Sequence, residues 1–292
     1  MTEQQPSESP LPQLPPRRAD SHKYDFGRAL LVGGSRGMTG AISMSGMAAL
    51  RCGAGLVQVA VPACCQAWVA PIEPSFMTIG LPCDDDGRIS SAARPQLISL
   101  AAGATSIGIG PGLGQSPGLA AMVAWLFASI PQPMVCDADA LNAISRRPDL
   151  LGQQAGPRIL TPHPGEFRRL VPGDKHAPRE QLEQEAQTLA KQTGVVVVLK
   201  GHRTLITDGQ QSAHNTTGNP GMATGGTGDV LTGMITALVG QGLSPFDAAR
   251  LGVYLHGLAG DLAAAELGQV SMIGSDLIRF LPHAFQRHAG HS

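Results

Sequence analysis

Ala29-Leu30-Leu31-Val32-Gly33-Gly34-Ser35 is a short aliphatic run that stops on two glycines, and a helix-forming stretch over 41–51 follows it. An apolar run without polar alternation is the pattern of a strand covered on both faces. The same unit recurs along the chain. Strands are expected over 29–32, 57–61, 76–79, 106–109, 134–136, 159–161 and 195–199. Helices are expected over 41–51, 90–101, 119–130, 138–145, 179–192, 229–239, 245–267 and 276–286. This alternation predicts an α/β fold with a mostly parallel sheet between two layers of helices. The segments 203–207 and 211–215 flank Asp208-Gly209-Gln210, a turn signal that predicts a hairpin late in the sheet.

The final third reads as nearly all helix, and no internal repeat interrupts the pattern, so a single domain over 21–292 is expected. Residues 1–20 are proline-rich without an apolar run, which predicts a disordered tail and neither a signal peptide nor a membrane anchor. The uncharged stretches 52–72 and 95–136 are cut by proline and glycine into pieces shorter than the roughly 20 residues a bilayer span needs. No membrane role is expected.

Glycine supplies 37 of the 292 residues, well above the usual share of roughly 7 %. Without a triplet period, and with 42 % hydrophobic residues around it, this excess excludes collagen and points to tight turns and backbone access. Net charge is -1 and no basic cluster exceeds two adjacent residues, which argues against a nucleic-acid partner. Five cysteines without a C-x-x-C pair fit a reducing cytoplasm better than a disulfide framework.

In open α/β sheets ligands bind beyond the carboxyl ends of the strands. Four glycine-bearing clusters fall there: Gly33 to Ala41, Gly108 to Gly114, Thr161-Pro162-His163-Pro164-Gly165-Glu166, and Thr224-Gly225-Gly226-Thr227-Gly228-Asp229. None has dinucleotide-binding spacing, and Thr227 stands where a phosphate-loop lysine would be. The last cluster runs into an apolar helix, so Gly225, Gly226, Thr227 and Gly228 present backbone N–H groups at a helix start suited to a phosphoryl group. Asp229 there is either a helix-start carboxylate or a base for an attacking hydroxyl. Lys200-Gly201-His202-Arg203-Thr204 offers two cations and a hydroxyl for a nucleotide, or forms only a turn into the hairpin. His163, between two prolines, is either packed or a substrate contact, and His256 reads as a satisfied helix residue. No His, Cys or carboxylate group stands at metal-ligand spacing.

Taken together, Gly33-Gly-Ser, Thr39-Gly-Ala, Gly110-Pro-Gly-Leu-Gly, Asp137-Ala-Asp-Ala-Leu-Asn, Leu160-Thr-Pro-His-Pro-Gly-Glu-Phe, Leu199-Lys-Gly and Asn219-Pro-Gly-Met-Ala-Thr-Gly-Gly-Thr-Gly-Asp resemble the ADP-dependent NAD(P)H-hydrate dehydratases. The resemblance covers roughly 21–281. It implies a ribokinase-like three-layer sandwich and a repair reaction in which the S form of hydrated NADH or NADPH is dehydrated while ADP becomes AMP and phosphate. Under it, Lys200, Gly201, His202, Arg203, Thr204 and Gly228 hold the AMP portion. Ala41, Gly112 or Gly114, His163 and Asp229 contact the hydrated cofactor, with Asp229 as base. It further implies Mg2+ with the nucleotide, a homotetramer, and an epimerase for the R form on a separate protein. Two other readings share the glycine-rich loop: an ATP-dependent kinase of a hydroxymethylpyrimidine or pyridoxal, and a non-catalytic nucleotide sensor.

Overall fold

A computed structural model describes residues 10–290 of the chain. Its centre is a nine-stranded sheet in the order β3-β2-β1-β4-β5-β6-β7-β8-β9. The strands are β1 (Arg28–Val32), β2 (Leu56–Pro62), β3 (Met77–Leu81), β4 (Ser106–Ile109), β5 (Met134–Cys136), β6 (Arg158–Leu160), β7 (Val196–Leu199), β8 (Leu205–Thr207) and β9 (Ser212–His214). β1 through β7 are parallel, and β8 and β9 return antiparallel as the expected hairpin, with Val197 opposite Thr207.

The helices are α1 (Thr39–Arg51), α2 (Gln66–Val69), α3 (Arg94–Gly103), α4 (Pro117–Ser129), α5 (Ala138–Ile144), α6 (Pro164–Leu170), α7 (Arg179–Thr193), α8 (Thr227–Gly240), α9 (Pro245–Leu267) and α10 (Gly274–His288). They form two layers. Ala29, Leu31, Val57, Val59, Val196 and Val198 face a core built with α1, α8, α9 and α10. Leu30, Val32, Ile107, Ile109, Val197 and Leu199 face the opposite core, built with α3, α4, α5 and α7. Successive residues of one strand therefore enter different cores, which is why the strands read as unbroken aliphatic runs. Among the described residues no helix is long and apolar enough to cross a membrane, and all five cysteines are free.

The structure differs from the sequence reading at five places. The loop expected after β6 is instead a two-turn helix, α6, because His163 caps it and Pro164 occupies its first position. The hairpin starts at Leu205 and not at 203, because Arg203 has φ +54° and belongs to the turn. The helix expected from residue 90 opens with a 3-10 turn over Ser91–Ala93, and α2 was not expected. Of the stretch read as a disordered tail, 1–9 lies outside the described residues. Its remainder touches the domain: Leu14 packs on the core, Pro12 O accepts from His288, and the Arg17 guanidinium donates to Gly53 O while lying over the Phe26 ring.

Candidate active site

The strand order reverses between β1 and β4, which opens a crevice at their carboxyl ends. The loops leaving these two strands interlock: Gly34 N–H donates to Pro111 O at 2.9 Å and Gly110 N–H donates to Val32 O at 3.1 Å. Gly112 has φ +60°, and a Cβ there would lie 2.4 Å from Met38 O and 3.1 Å from the Ala41 methyl. Ala41 and Gly112 are thus brought face to face, and only glycine permits that approach. Gly114 N–H donates to Asp139 Oδ2 at 2.9 Å, tying the same loop to α5.

The first turn of α8 forms the neighbouring wall. Gly226, its N-cap, has φ +93°, and its missing Cβ would sit 2.4 Å from Met44 Cε. Val230 is the first residue to close the helical ladder, donating to Gly226 O. The amides of Thr227, Gly228 and Asp229 consequently have no carbonyl to bond within the helix. The Thr227 side chain takes no part in that cradle, since its hydroxyl lies at hydrogen-bond distance from Met222 O and Thr224 O. Two residues brace the turn from behind. Ser45 Oγ donates to Asp229 O at 2.7 Å, and His256 Nε2 donates to Thr227 O at 2.9 Å. Burial pushes His256 down to about 4, so its ring is neutral.

A charge cluster lies under this turn. Lys200, at the end of β7, extends its ammonium inward to within 2.8 Å of Asp137 Oδ1 and 3.8 Å of Glu166 Oε2. A Cβ on Gly228 would be 3.4 Å from Lys200 Nζ and 3.6 Å from Asp137 Oδ2. Burial alone would lower the Lys200 ammonium, but the Asp137 and Glu166 carboxylates outweigh it and raise its pKa. Asp229 is pushed up to about 7, first by burial and then by the negative charge of Asp137; Lys200 opposes the shift, while Asp139 and Glu166 add to it. Such a carboxyl exchanges its proton near neutral pH.

Beyond Lys200 opens a cleft of about 540 Å³, within the size range of small-molecule sites. Its lining includes all five residues of the turn, Lys200, Gly201, His202, Arg203 and Thr204, together with Gly228, and Leu231, Val253 and Gly257 add apolar wall. Arg179 holds the turn in place by donating to Leu199 O and Lys200 O. The Thr204 hydroxyl donates to Gly201 O at 3.0 Å, so the hydroxyl expected to face a ribose is here part of the turn. Asp261 fixes the far wall by accepting from Gly218 N–H at 2.8 Å and Asn219 Nδ2 at 3.0 Å.

His163 stands at the start of α6, beyond the carboxyl end of β6. Its Nδ1 accepts from Gly165 and Glu166 N–H, and Glu166 Oε2 accepts from its own N–H at 2.9 Å, a reciprocal cap. With Nδ1 used as an acceptor, the ring carries its proton on Nε2, and half of the side chain is exposed.

Of the sequence-selected residues, Lys200 to Thr204 and Gly228 line the large cleft, Ala41 and Gly112 meet beside the β1–β4 crevice, Asp229 follows Gly228 on α8, and His163 caps α6. The reading missed Asp137, Glu166, Thr232 and Asp261 as parts of the site, whereas His256 is the satisfied helix residue expected and also lines the cleft. Asp137 and Glu166 stood inside the quoted motifs after strand ends, which was the available signal; Asp261 carried none beyond being polar on a helix. Among the described residues no group of three His, Cys, Asp or Glu is placed to hold a metal ion. Asp137 and Asp139 have both carboxylate oxygens engaged by the protein.

A family model described as NAD(P)H-hydrate dehydratase matches residues 29–283. The bifunctional NAD(P)H-hydrate repair enzyme of Moorella thermoacetica is 46 % identical over 276 residues, 94 % of this chain and 52 % of its own length. The chain thus spans about half the length of the first curated relatives it matches. The ADP-dependent (S)-NAD(P)H-hydrate dehydratase of Cenarchaeum symbiosum is 36 % identical over 270 residues, covering 92 % of each chain. The ADP/ATP-dependent NAD(P)H-hydrate dehydratase of Bacillus subtilis, co-crystallised with ATP/Mg2+, superposes with a TM-score of 0.79 at 31 % identity, covering 94 % of each chain. By sequence and by its ribokinase-like fold, the chain belongs to the NAD(P)H-hydrate dehydratase family.

Proposed function

We propose that this chain dehydrates the S form of hydrated NADH or NADPH and consumes ADP in doing so. One observation carries the reading: Asp229, a carboxyl whose proton affinity lies near neutrality, directly follows Gly228, which lines the nucleotide-sized cleft, and its carbonyl is bonded by Ser45 of α1, the helix that carries Ala41. The name of the Cenarchaeum symbiosum relative supports both the S configuration and the use of ADP.

In this reading ADP lies in the large cleft with its terminal phosphate against the amides of Thr227, Gly228 and Asp229, and Gly225 leaves the approach open. Helix-start N–H groups stabilise the oxygens of a transferring phosphoryl group. The substrate's ring hydroxyl attacks the β-phosphorus, Asp229 accepts its proton, and AMP departs with the bridging oxygen. The ring nitrogen's electron pair then expels the phosphate from carbon, and the adjacent ring carbon releases a proton as the double bond reforms. Lys200 lies next to Gly228, where the migrating negative charge passes.

Magnesium would arrive with the nucleotide, as in the Bacillus subtilis relative's crystals. The chain's carboxylates do not fit a dedicated cage for it, because Asp137, Asp139 and Glu166 already bind Lys200, Thr232, Gly114, Gln115, Asn142 and His163. An R-hydrate would need a separate epimerising step.

His163 has two separable roles here, as a helix cap and as an Nε2–H donor to the hydrate. His163→Ala is expected to lose about 1 kcal/mol of stability through the cap and to raise the hydrate KM. His163→Asn keeps a good cap and should raise KM with wild-type stability; denaturant titration together with steady-state kinetics separates the two, and an unchanged KM in both variants contradicts the contact.

A substrate panel tests the function against its alternatives. S-hydrate with ADP should regain the near-ultraviolet absorbance of the dihydronicotinamide. Phosphorylation of a hydroxymethylpyrimidine or pyridoxal from ATP without that recovery would indicate the kinase, and nucleotide binding without either would indicate a sensor.

A further inference from the structure

Asp137 lies at the carboxyl end of β5, is 2 % exposed, and has each carboxylate oxygen assigned. Oδ1 accepts from Lys200 Nζ at 2.8 Å and Oδ2 accepts from Thr232 Oγ1 at 2.9 Å. Its backbone is equally fixed. Asp137 N–H donates to Ile109 O, its carbonyl accepts from Ala140 N–H, and a Cβ on Gly110 would stand 1.9 Å from that carbonyl oxygen. The next residue, Ala138, has φ +48°, a conformation that costs free energy without a glycine. A buried ion pair of this kind returns little net stability. Strain and a buried charge together, at one strand end beside the reacting groups, are the pattern of a site kept for its chemistry.

The geometry shows what that chemistry is. Thr232 and Gly228 belong to α8, and Thr232 Oγ1 also lies 3.2 Å from Gly228 O. Asp137 therefore ties the end of β7, through Lys200, to the first turn of α8, through Thr232, directly below Gly228. The charged groups facing Asp229 are Asp137 and Asp139 from the β5–α5 junction, Glu166 from α6 and Lys200 from β7. From α1, Ser45 reaches only the Asp229 carbonyl. Among the carboxylates, Asp139 is bound to Gly114 N–H, Gln115 and Asn142, and Glu166 to His163 N–H. Asp137 is the one that holds the ammonium at contact distance.

We infer that Asp137 is a positioning residue for the reaction: it fixes the Lys200 ammonium beneath Gly228 and, through Thr232, braces it against the start of α8 where a phosphate would arrive. This inference rests on the reading of Asp229 as the base. It assigns a division of labour within one cluster. Lys200, held by Asp137, cannot collapse onto Asp229 and neutralise it, and it remains under the helix start where a phosphate would arrive. Thr232 keeps the Asp137 carboxylate turned toward Lys200, so the arrangement is set before any ligand binds.

The test is the titration of the Asp229 carboxyl carbon, followed by NMR in aspartate-labelled full-length protein and assigned by its loss in Asp229→Asn. In the unaltered protein its midpoint is expected near 7. Asp137→Asn removes the negative neighbour and leaves Lys200 unopposed, so the midpoint should fall by about one pH unit, a roughly tenfold loss of proton affinity. Thr232→Val removes the hydroxyl that turns the Asp137 carboxylate toward Lys200 and should lower the midpoint in the same direction, which keeps the inference testable if Asp137→Asn fails to fold. The acid limb of kcat/KM should move in the same direction as the carbon signal in each variant. An unmoved midpoint in Asp137→Asn, or a fall in kcat with an unmoved acid limb, would make Asp137 a structural residue only and overturn the inference. If the unaltered protein does not turn over the hydrate, the functional reading fails, and the carbon titration still decides the role of Asp137.

Discussion

Asp229→Asn is expected to lower kcat by roughly 10²–10⁴-fold, the usual contribution of a positioned general base, while ADP binds within a few-fold of its original affinity. The substitution keeps the size of the side chain and retains the residue-229 amide in the α8 cradle, so the nucleotide contacts survive. It removes the only atom in the first turn able to take the hydroxyl proton. The rate of the unaltered enzyme should rise with pH through about 7, because the base must be ionised, and the variant should lack that limb. The same shift makes a stability prediction of defined sign. A carboxyl whose folded-state pKa lies above its unfolded value favours folding fully only below the unfolded value, near 4, and that contribution is lost as pH rises through about 7. Asparagine carries no such penalty. The variant should therefore become more stable than the parent as pH rises from about 4 to about 7, by on the order of 2–3 kcal/mol given the partial exposure of the site. Calorimetric ADP binding, steady-state rates and denaturant midpoints across this range check the three parts. Unchanged turnover would remove Asp229 as base.

Gly257→Ala is expected to weaken ADP binding tenfold or more and to cost about 1–3 kcal/mol of stability, the usual penalty of overpacking. Glycine within a helix costs backbone entropy, and Gly257 lies well inside α9. What it permits is contact with Thr217, since a Cβ would stand 2.2 Å from Thr217 Oγ1 and 2.6 Å from its carbonyl carbon. Thr217 is also bonded to α9 through Tyr254 O at 2.8 Å, and Thr217 to Ala223 supply much of the outer wall of the nucleotide cleft. A methyl group must displace that wall. Because Asp229 and the α8 cradle lie elsewhere, kcat at saturating ADP should change far less than KM for ADP. Undiminished ADP affinity would show that this wall does not hold the nucleotide.

The fold was legible because parallel strands buried on both faces leave a plain signature. Val196 to Leu199 and Leu30 to Val32 read as strands from their aliphatic runs, although their residues serve opposite cores. The rule that ligands lie beyond carboxyl strand ends singled out the loops that carry Gly112, Gly114, Gly228 and Asp229. α6 was hidden because histidine is an unusual helix cap, so Pro162-His163-Pro164 read as a loop. The docking of residues 10–20 was hidden too, since a proline-rich segment can lie along a groove without secondary structure of its own. Least legible was the charge cluster. Asp137 and Lys200 are 63 residues apart, so their contact is a product of sheet order, and no local spacing announces it. The raised proton affinity of Asp229 follows first from burial and then from the Asp137 charge in that cluster, and neither could be read from the motif that contains it.

The most direct measurement is the product balance of a single reaction: purified S-hydrate of NADH, incubated with the full chain, ADP and magnesium, assayed together for NADH, AMP and inorganic phosphate. The account predicts equal amounts of the three, with none formed when ADP is omitted. NADH recovered without ADP consumption, or AMP and phosphate released without NADH, would contradict it.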